Sequence, residues 1–303
     1  MTSTQTYDLP YQKDPVCLFE RVRYLPWAQL LDSGDCKGKR GRYDIITADP
    51  YLKISASENY TIVTERDDDI IETGHQPFEI IRQQLYPFHQ EKCEIPFCGG
   101  VLGYFGYDLE IENQPVKDKR PDIVDLPDMA LGVYDCAIIS DHEKQQTYFV
   151  SAGNDKSVTE QTRIKFFRDL TESPPLADAC IPLKIDRLET DTSLDDYQIG
   201  FDRIQHYLVE GDCYQINYAR RFTAQAQGSP WESYKQLRKA NPVPFGAYLE
   251  FPFAQFLSSS PERFIHVSGN KVETRPIKGT RPRSTDPAKD NKLKNELASS
   301  EKD

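Results

Sequence analysis

The strongest constraint on the fold is a succession of short alternating segments rich in β-branched and aromatic residues. "YDIITA" (43–48), "YLKISAS" (51–57) and "YTIVTE" (60–65) read as strands. "MALGVYDCAIIS" (129–140) and "QQTYFVSAG" (145–153) read as consecutive antiparallel strands. Helical patterns interrupt them. "LFERVRYLPWAQLL" (18–31) begins as a helix that Pro26 must break. "PFEIIRQQLYPF" (77–88) is a short helix, and "SVTEQTRIKFFRDL" (157–170) is a helix in which Ser157 and Glu160 have capping-box spacing.

A proline-bearing polar stretch, residues 171–192, is the best linker and divides the chain into regions 1–185 and 186–303. In the second region Ser193 is an expected N-cap and Gly211 an expected stop. Tyr197, Phe201, Ile204 and Leu208 form one apolar stripe between them. "CYQINYARRFTAQ" (213–225) alternates like a strand. "SPWESYKQLRKANP" (229–242) has Ser229 to cap, Pro230 at the first position, Glu232 to complete the box and Pro242 to end the helix. "GAYLEF", "AQFLSSS", "RFIHV" and "KVETRP" follow as strands. The final pattern, "DPAKDNKLKNELASSEKD", is helical with no glycine or proline to stop it, as in a chain cut short.

At 303 residues the chain can bury about 75% of its unfolded surface. The net charge of −11 argues against general binding to nucleic acid or an anionic membrane. No apolar run approaches the length of a membrane span, and the first residues lack a signal-peptide core, so a cytoplasmic protein is expected. Seven scattered cysteines do not read as a disulfide framework. Cys93 and Cys98 have no matching Cys/His pair at metal-site spacing. In "GGVLGYFG" (99–106) the glycines miss the dinucleotide-binding spacing and read instead as close packing within a strand.

Charge is distributed unevenly. Residues 263–294 carry nine Lys/Arg against three Asp/Glu, or +6, which leaves the remainder at −17. A solvated basic turn accounts for that composition, but the order of residues adds more. Lys278 in "TRPIKGTRPR" lies after a strand pattern, beside Gly279 and Thr280 and among Arg275, Arg281 and Arg283. Nearby guanidinium groups would disfavour a charged ammonium and favour a nucleophilic amine. Glu262, sixteen residues upstream in "SSSPERF", is a candidate proton donor, although a Glu–Lys pair is more often structural.

"SPERF" followed by "TRPIKGT", with "GDCYQINYARRF", "GGVLGYFGYD" and "LPDMALGVYD", resembles the chorismate-utilising enzymes. The resemblance covers essentially the whole chain. Anthranilate synthases and isochorismate-forming enzymes resemble "PIAGT" at this motif, whereas lysine marks the aminodeoxychorismate synthase component I branch. For the present chain the resemblance implies an α+β fold. Its two large, mainly antiparallel sheets would pack as a sandwich, with helices outside and strands drawn from both regions. It implies Lys278 as nucleophile and Glu262 as acid, with Thr280 and Gly279 against the substrate chorismate. It also implies ammonia from a glutamine amidotransferase subunit and Mg²⁺ whose ligands would follow residue 303. "LLDS" (30–33) and "NPVPFGAY" (241–248) resemble the family's tryptophan-holding segments, which makes Ser33, Pro242 and Phe245 its expected contacts. A truncated chain would be inactive alone. The competing expectations are anthranilate synthase component I and a non-catalytic product that binds only the partner or tryptophan.

Overall fold

The computed structural model describes residues 4–34, 41–57, 60–67, 69–74, 76–88, 95–107, 109, 124–174 and 181–300. The chain divides into two compact units, Met1–Leu176 with Arg238–Asp303, and Ala177–Leu237.

The larger unit begins with β1 (Gln5–Leu9), α1 (Pro15–Val22), β2 (Gln29–Asp32) and β3 (Tyr43–Thr47). It continues through β4 (Leu52–Ser57), β5 (Tyr60–Glu65), β6 (Ile70–Gly74), α2 (Pro77–Leu85) and β7 (Gly100–Phe105). Then come β8 (Met129–Tyr134), β9 (Cys136–Asp141), β10 (Gln146–Ser151) and α3 (Glu160–Glu172). The smaller unit holds β11 (Lys184–Ile185), β12 (Glu189–Thr190), α4 (Leu194–Glu210), β13 (Phe222–Thr223) and β14 (Ala226–Gln227). Helix α5 (Pro230–Ala240) leads back to β15 (Phe245–Glu250), β16 (Gln255–Ser260), β17 (His266–Ser268), β18 (Lys271–Glu273) and α6 (Pro287–Ala298).

Seven strands form one sheet in the order β1-β10-β9-β3-β2-β15-β16, and five form a second in the order β6-β5-β4-β8-β7. Every pairing within both sheets is antiparallel. The sheets pack on one another through Leu102, Ala130 and Tyr134 of the second and Leu249 of the first, with Trp27 and Phe251 completing the cluster. Aromatic edges lock this interface: the Trp27 and Phe251 ring centroids are 4.9 Å apart and T-shaped, a favoured geometry. Behind the five-stranded sheet, Ile80 and Ile81 of α2 pack on Ile54, Val63 and Leu131. Helices α1 and α3 cover the seven-stranded sheet, with Phe167 at 4.9 Å from Phe149. The expected α+β sandwich with outer helices is the observed architecture, and β15 and β16 join strands from the first part of the chain as anticipated.

Several local readings change. "MALGVYDCAIIS" is two strands in different sheets: β8 pairs β7 and β4, whereas β9 pairs β10 and β3. Asp135 sits between them with 4% exposure, and its Oδ1 accepts the Asn154 N–H at 2.6 Å, so a buried polar residue marks the switch. Helix α3 is capped by Thr159, not Ser157; Ser157 instead binds Asp155 through its N–H and hydroxyl. Helix α4 has the expected Ser193 and Gly211 caps, yet none of its residues is buried. Tyr197 of its stripe stacks on Tyr218 at 5.1 Å, and the Arg220 guanidinium lies 5.1 Å from the Tyr197 ring. Residues 213–221 form no strand. Helix α6 ends at Ala298 with Ser299 as its C-cap, and the Ser299 hydroxyl donates to the Asn295 carbonyl at 2.9 Å.

The glycine-rich "GGVLGYFG" becomes the edge strand β7, and its reading as close packing holds at Gly103. A Cβ placed there would meet the Ala130 carbonyl oxygen at 2.0 Å. Gly103→Ala is therefore expected to destabilise the protein by about 1–3 kcal/mol through displacement of β8. A urea titration checks this, and an unchanged midpoint would contradict it.

Candidate active site

The site begins where the β15–β16 hairpin ends. Strand β16 stops at Ser260, whose hydroxyl donates to the Glu262 carbonyl at 2.8 Å and accepts the Glu262 N–H at 3.3 Å. This tight turn orients Glu262 beside a cavity of about 150 Å³ lined by Phe245, Pro261, Arg263, Glu273, Arg275 and Ile277 as well. Arg263 and Arg275 both donate to Glu273, and Arg275 first, then Arg263, hold that carboxyl below the usual carboxylate range. The short β17–β18 hairpin, Val267 opposite Val272, carries Glu273 to this position.

Beyond β18 the chain is irregular through residue 284, so the strand expected to lead up to Lys278 ends at Glu273, short of the lysine. The Thr274 hydroxyl anchors this segment by donating to the Phe264 carbonyl at 2.9 Å. Ile277 enters the cavity wall, and Lys278 follows it as an exposed residue. Gly279 has φ +59°, a left-handed conformation that glycine adopts without steric cost, and Thr280 is exposed. The neighbouring arginines are less available than expected. Arg275 is committed to Glu273, and Arg283 makes a bidentate pair with Asp290 at 2.8 and 2.9 Å. Glu262 and the Lys278 segment thus meet at one small cavity.

A second cavity of about 720 Å³ lies in the same unit, and Phe245 and Arg263 line both. The Arg263 guanidinium stands 5.5 Å from the Phe245 ring, so the two side chains form a shared cation–π wall. Ser33 lines this second cavity, with Asp32, Arg42, Pro244 and His266 among its other walls. Of the three expected contacts, Ser33 and Phe245 come together here; Pro242 is exposed and Pro244 takes the wall position. Asp32 is bound by Arg238 at 2.6 Å.

Sequence reasoning missed the residues that support this wall. Asp44 Oδ1 accepts both the N–H and the hydroxyl of Ser33 at 2.8 Å, and its Oδ2 lies 2.6 Å from His142 Nε2. The hydrogen bond to Asp44 raises the His142 pKa above its ordinary value, and the Tyr11 hydroxyl lies 2.9 Å from His142 Nδ1. These groups are far apart in the chain and share no motif; only the β3–β9 pairing, Asp44 opposite Ser140, brings them together.

Among the described residues no group of three or more His, Cys, Asp or Glu is arranged to hold a metal. Cys98 is disulfide-bonded, although the cysteines had suggested no disulfide framework, and Cys93 lies outside the described residues. No described helix is long and apolar enough to cross a membrane.

The chain is 37% identical to aminodeoxychorismate synthase component 1 of Salmonella typhimurium over 97% of its own length and 64% of that protein's. It is 29% identical to anthranilate synthase alpha subunit 1 of Arabidopsis thaliana, over 95% of this chain and 51% of the relative. The chain therefore spans less than two-thirds of the length of these curated relatives. Its fold matches the crystal structure of anthranilate synthase component I from Streptococcus pneumoniae with a TM-score of 0.72. That match has 22% identity and covers 88% of this chain and 59% of the other. Residues 30–303 match the family described as chorismate binding enzyme, and the chain belongs to that family.

Proposed function

We propose that the full-length protein is aminodeoxychorismate synthase component I, acting in the cytoplasm on chorismate with ammonia supplied by a glutamine amidotransferase subunit. The observation that carries this reading is the 37% identity to a relative of that name, against 29% to an anthranilate synthase subunit. Lys278, the residue that distinguishes the branch, supports it.

The chain's own residues suit the chemistry. The uncharged Lys278 amine bonds to a ring carbon of chorismate while the ring carbon–hydroxyl bond breaks. Glu262, in its acid form, gives its proton to the departing oxygen, which leaves as water. Ammonia then bonds to the carbon the hydroxyl left, and the lysine nitrogen departs with its electron pair. The proton released by the new ammonium returns to Glu262. Two displacements of lower barrier replace one difficult substitution. Gly279 allows backbone approach to the substrate, and Thr280 offers a hydroxyl to its carboxylate. Mg²⁺ is a suitable partner for that carboxylate, but no step here depends on residues that would bind it.

Full-length protein incubated with the amidotransferase subunit, glutamine and chorismate is expected to release aminodeoxychorismate, identified by chromatography. Release of anthranilate instead would overturn the branch assignment.

A second reading concerns the larger cavity, which we infer to hold tryptophan as a structural or regulatory ligand. Its support is the convergence of Ser33 and Phe245 on one space of about 720 Å³, a volume suited to an amino acid of that size.

A further inference from the structure

The larger cavity contains a hydroxyl whose hydrogen-bonding state is set by its surroundings. Ser33 Oγ donates its hydrogen to Asp44 Oδ1 at 2.8 Å, and the Ser33 N–H donates to the same oxygen at 2.8 Å. A serine hydroxyl has one hydrogen, so the oxygen retains only acceptor capacity for anything in the cavity. Asp44 cannot easily turn away to release it. The residue is 1% exposed, and its other oxygen is held at 2.6 Å by His142, itself backed by Tyr11 at 2.9 Å.

The nearby charges are largely committed elsewhere. Arg42 binds Asp141 at 2.7 Å and Glu143 at 2.8 Å, Arg263 binds Glu273, and Asp32 binds Arg238. Ser33 Oγ is therefore a fixed acceptor in a wall whose other polar groups are mostly paired.

We propose that Asp44 determines the specificity of this cavity: by holding the Ser33 hydroxyl hydrogen it presents an acceptor, and so selects a ligand carrying an ammonium group. His142 is the positioning residue that holds Asp44. This inference rests on the amino-acid reading of the cavity and adds the group that discriminates.

Calorimetric titration with L-tryptophan and with indole-3-propionate, which keeps the ring and carboxylate but lacks the ammonium, tests it. The unsubstituted chain is expected to prefer tryptophan by at least about tenfold, the range of a hydrogen bond to a charged group. In Asp44→Ala the Ser33 hydroxyl loses the acceptor that holds its hydrogen and can turn it into the cavity as a donor; the preference should narrow about tenfold. His142→Ala should narrow it too, and His142→Gln, whose amide still donates to Asp44, should restore it. An unchanged preference in Asp44→Ala overturns the proposal. If that variant fails to fold, equal preferences in His142→Ala and His142→Gln overturn it. Equal binding of both compounds by the unsubstituted chain overturns it while leaving the cavity reading intact; binding of neither overturns both.

Discussion

Replacing Lys278 with alanine is expected to abolish aminodeoxychorismate formation by the full-length protein, a loss of at least about 10²–10⁴-fold in kcat. The effect should not come through unfolding. Lys278 is exposed, and among the described residues it makes no hydrogen bond or ion pair. Substitutions at such positions change stability by about 0.5 kcal/mol or less. A variant with an unchanged urea midpoint and no turnover is the expected pair of results. Retained turnover would remove the nucleophile from the mechanism.

The largest stability effect is expected at Arg163. This residue is 6% exposed on α3 and pairs with two carboxylates, Asp135 at the β8–β9 switch and Asp155 at 2.9 Å. Arg66 joins Asp155 at 2.9 Å and Asp49 at 3.1 Å, so the network fastens α3 and the loop after β10 to both sheets. Removing one member of a buried pair leaves an uncompensated charge, at about 3–5 kcal/mol. Arg163→Ala should unfold at clearly lower urea, and a change below about 1 kcal/mol would contradict this role.

Acid should weaken the same network. Burial would raise the pKa of Asp155, but hydrogen bonds from Ser157, then from Arg66 and the charge of Arg163, outweigh it and lower the pKa. A lowered folded value means that the stabilisation is complete above the ordinary 3.8 and is lost as pH falls through the folded value. Unfolding free energies measured between pH 5 and 2 should show a steeper decline in the unsubstituted protein than in Asp155→Asn. Parallel curves would contradict the linkage.

Features decided by neighbouring residues were legible in the sequence. The caps of α4 at Ser193 and Gly211 and the start of α5 at Ser229 depend on chemistry within four residues. The strands β15 and β16 were likewise readable from their own residues. What failed depended on distant partners. One apolar run looks continuous whether or not its halves enter different sheets, so the change at Asp135 had no local signal. The stripe of α4 has helical spacing regardless of whether anything covers it. At the site, Glu262 and Lys278 were visible as a motif, whereas Asp44 and His142 acquire meaning only when β3 pairs with β9. The arginines near Lys278 could be counted, but not their commitment to Glu273 and Asp290.

The covalent role proposed for Lys278 is tested most directly by intact-protein mass spectrometry of the full-length protein, quenched during turnover of chorismate without ammonia. The expected result is a mass increase equal to chorismate less water, mapped by peptide fragmentation to Lys278 and absent from Lys278→Ala. An adduct of the same mass in the alanine variant, or product formation with the adduct located on another residue, would contradict it.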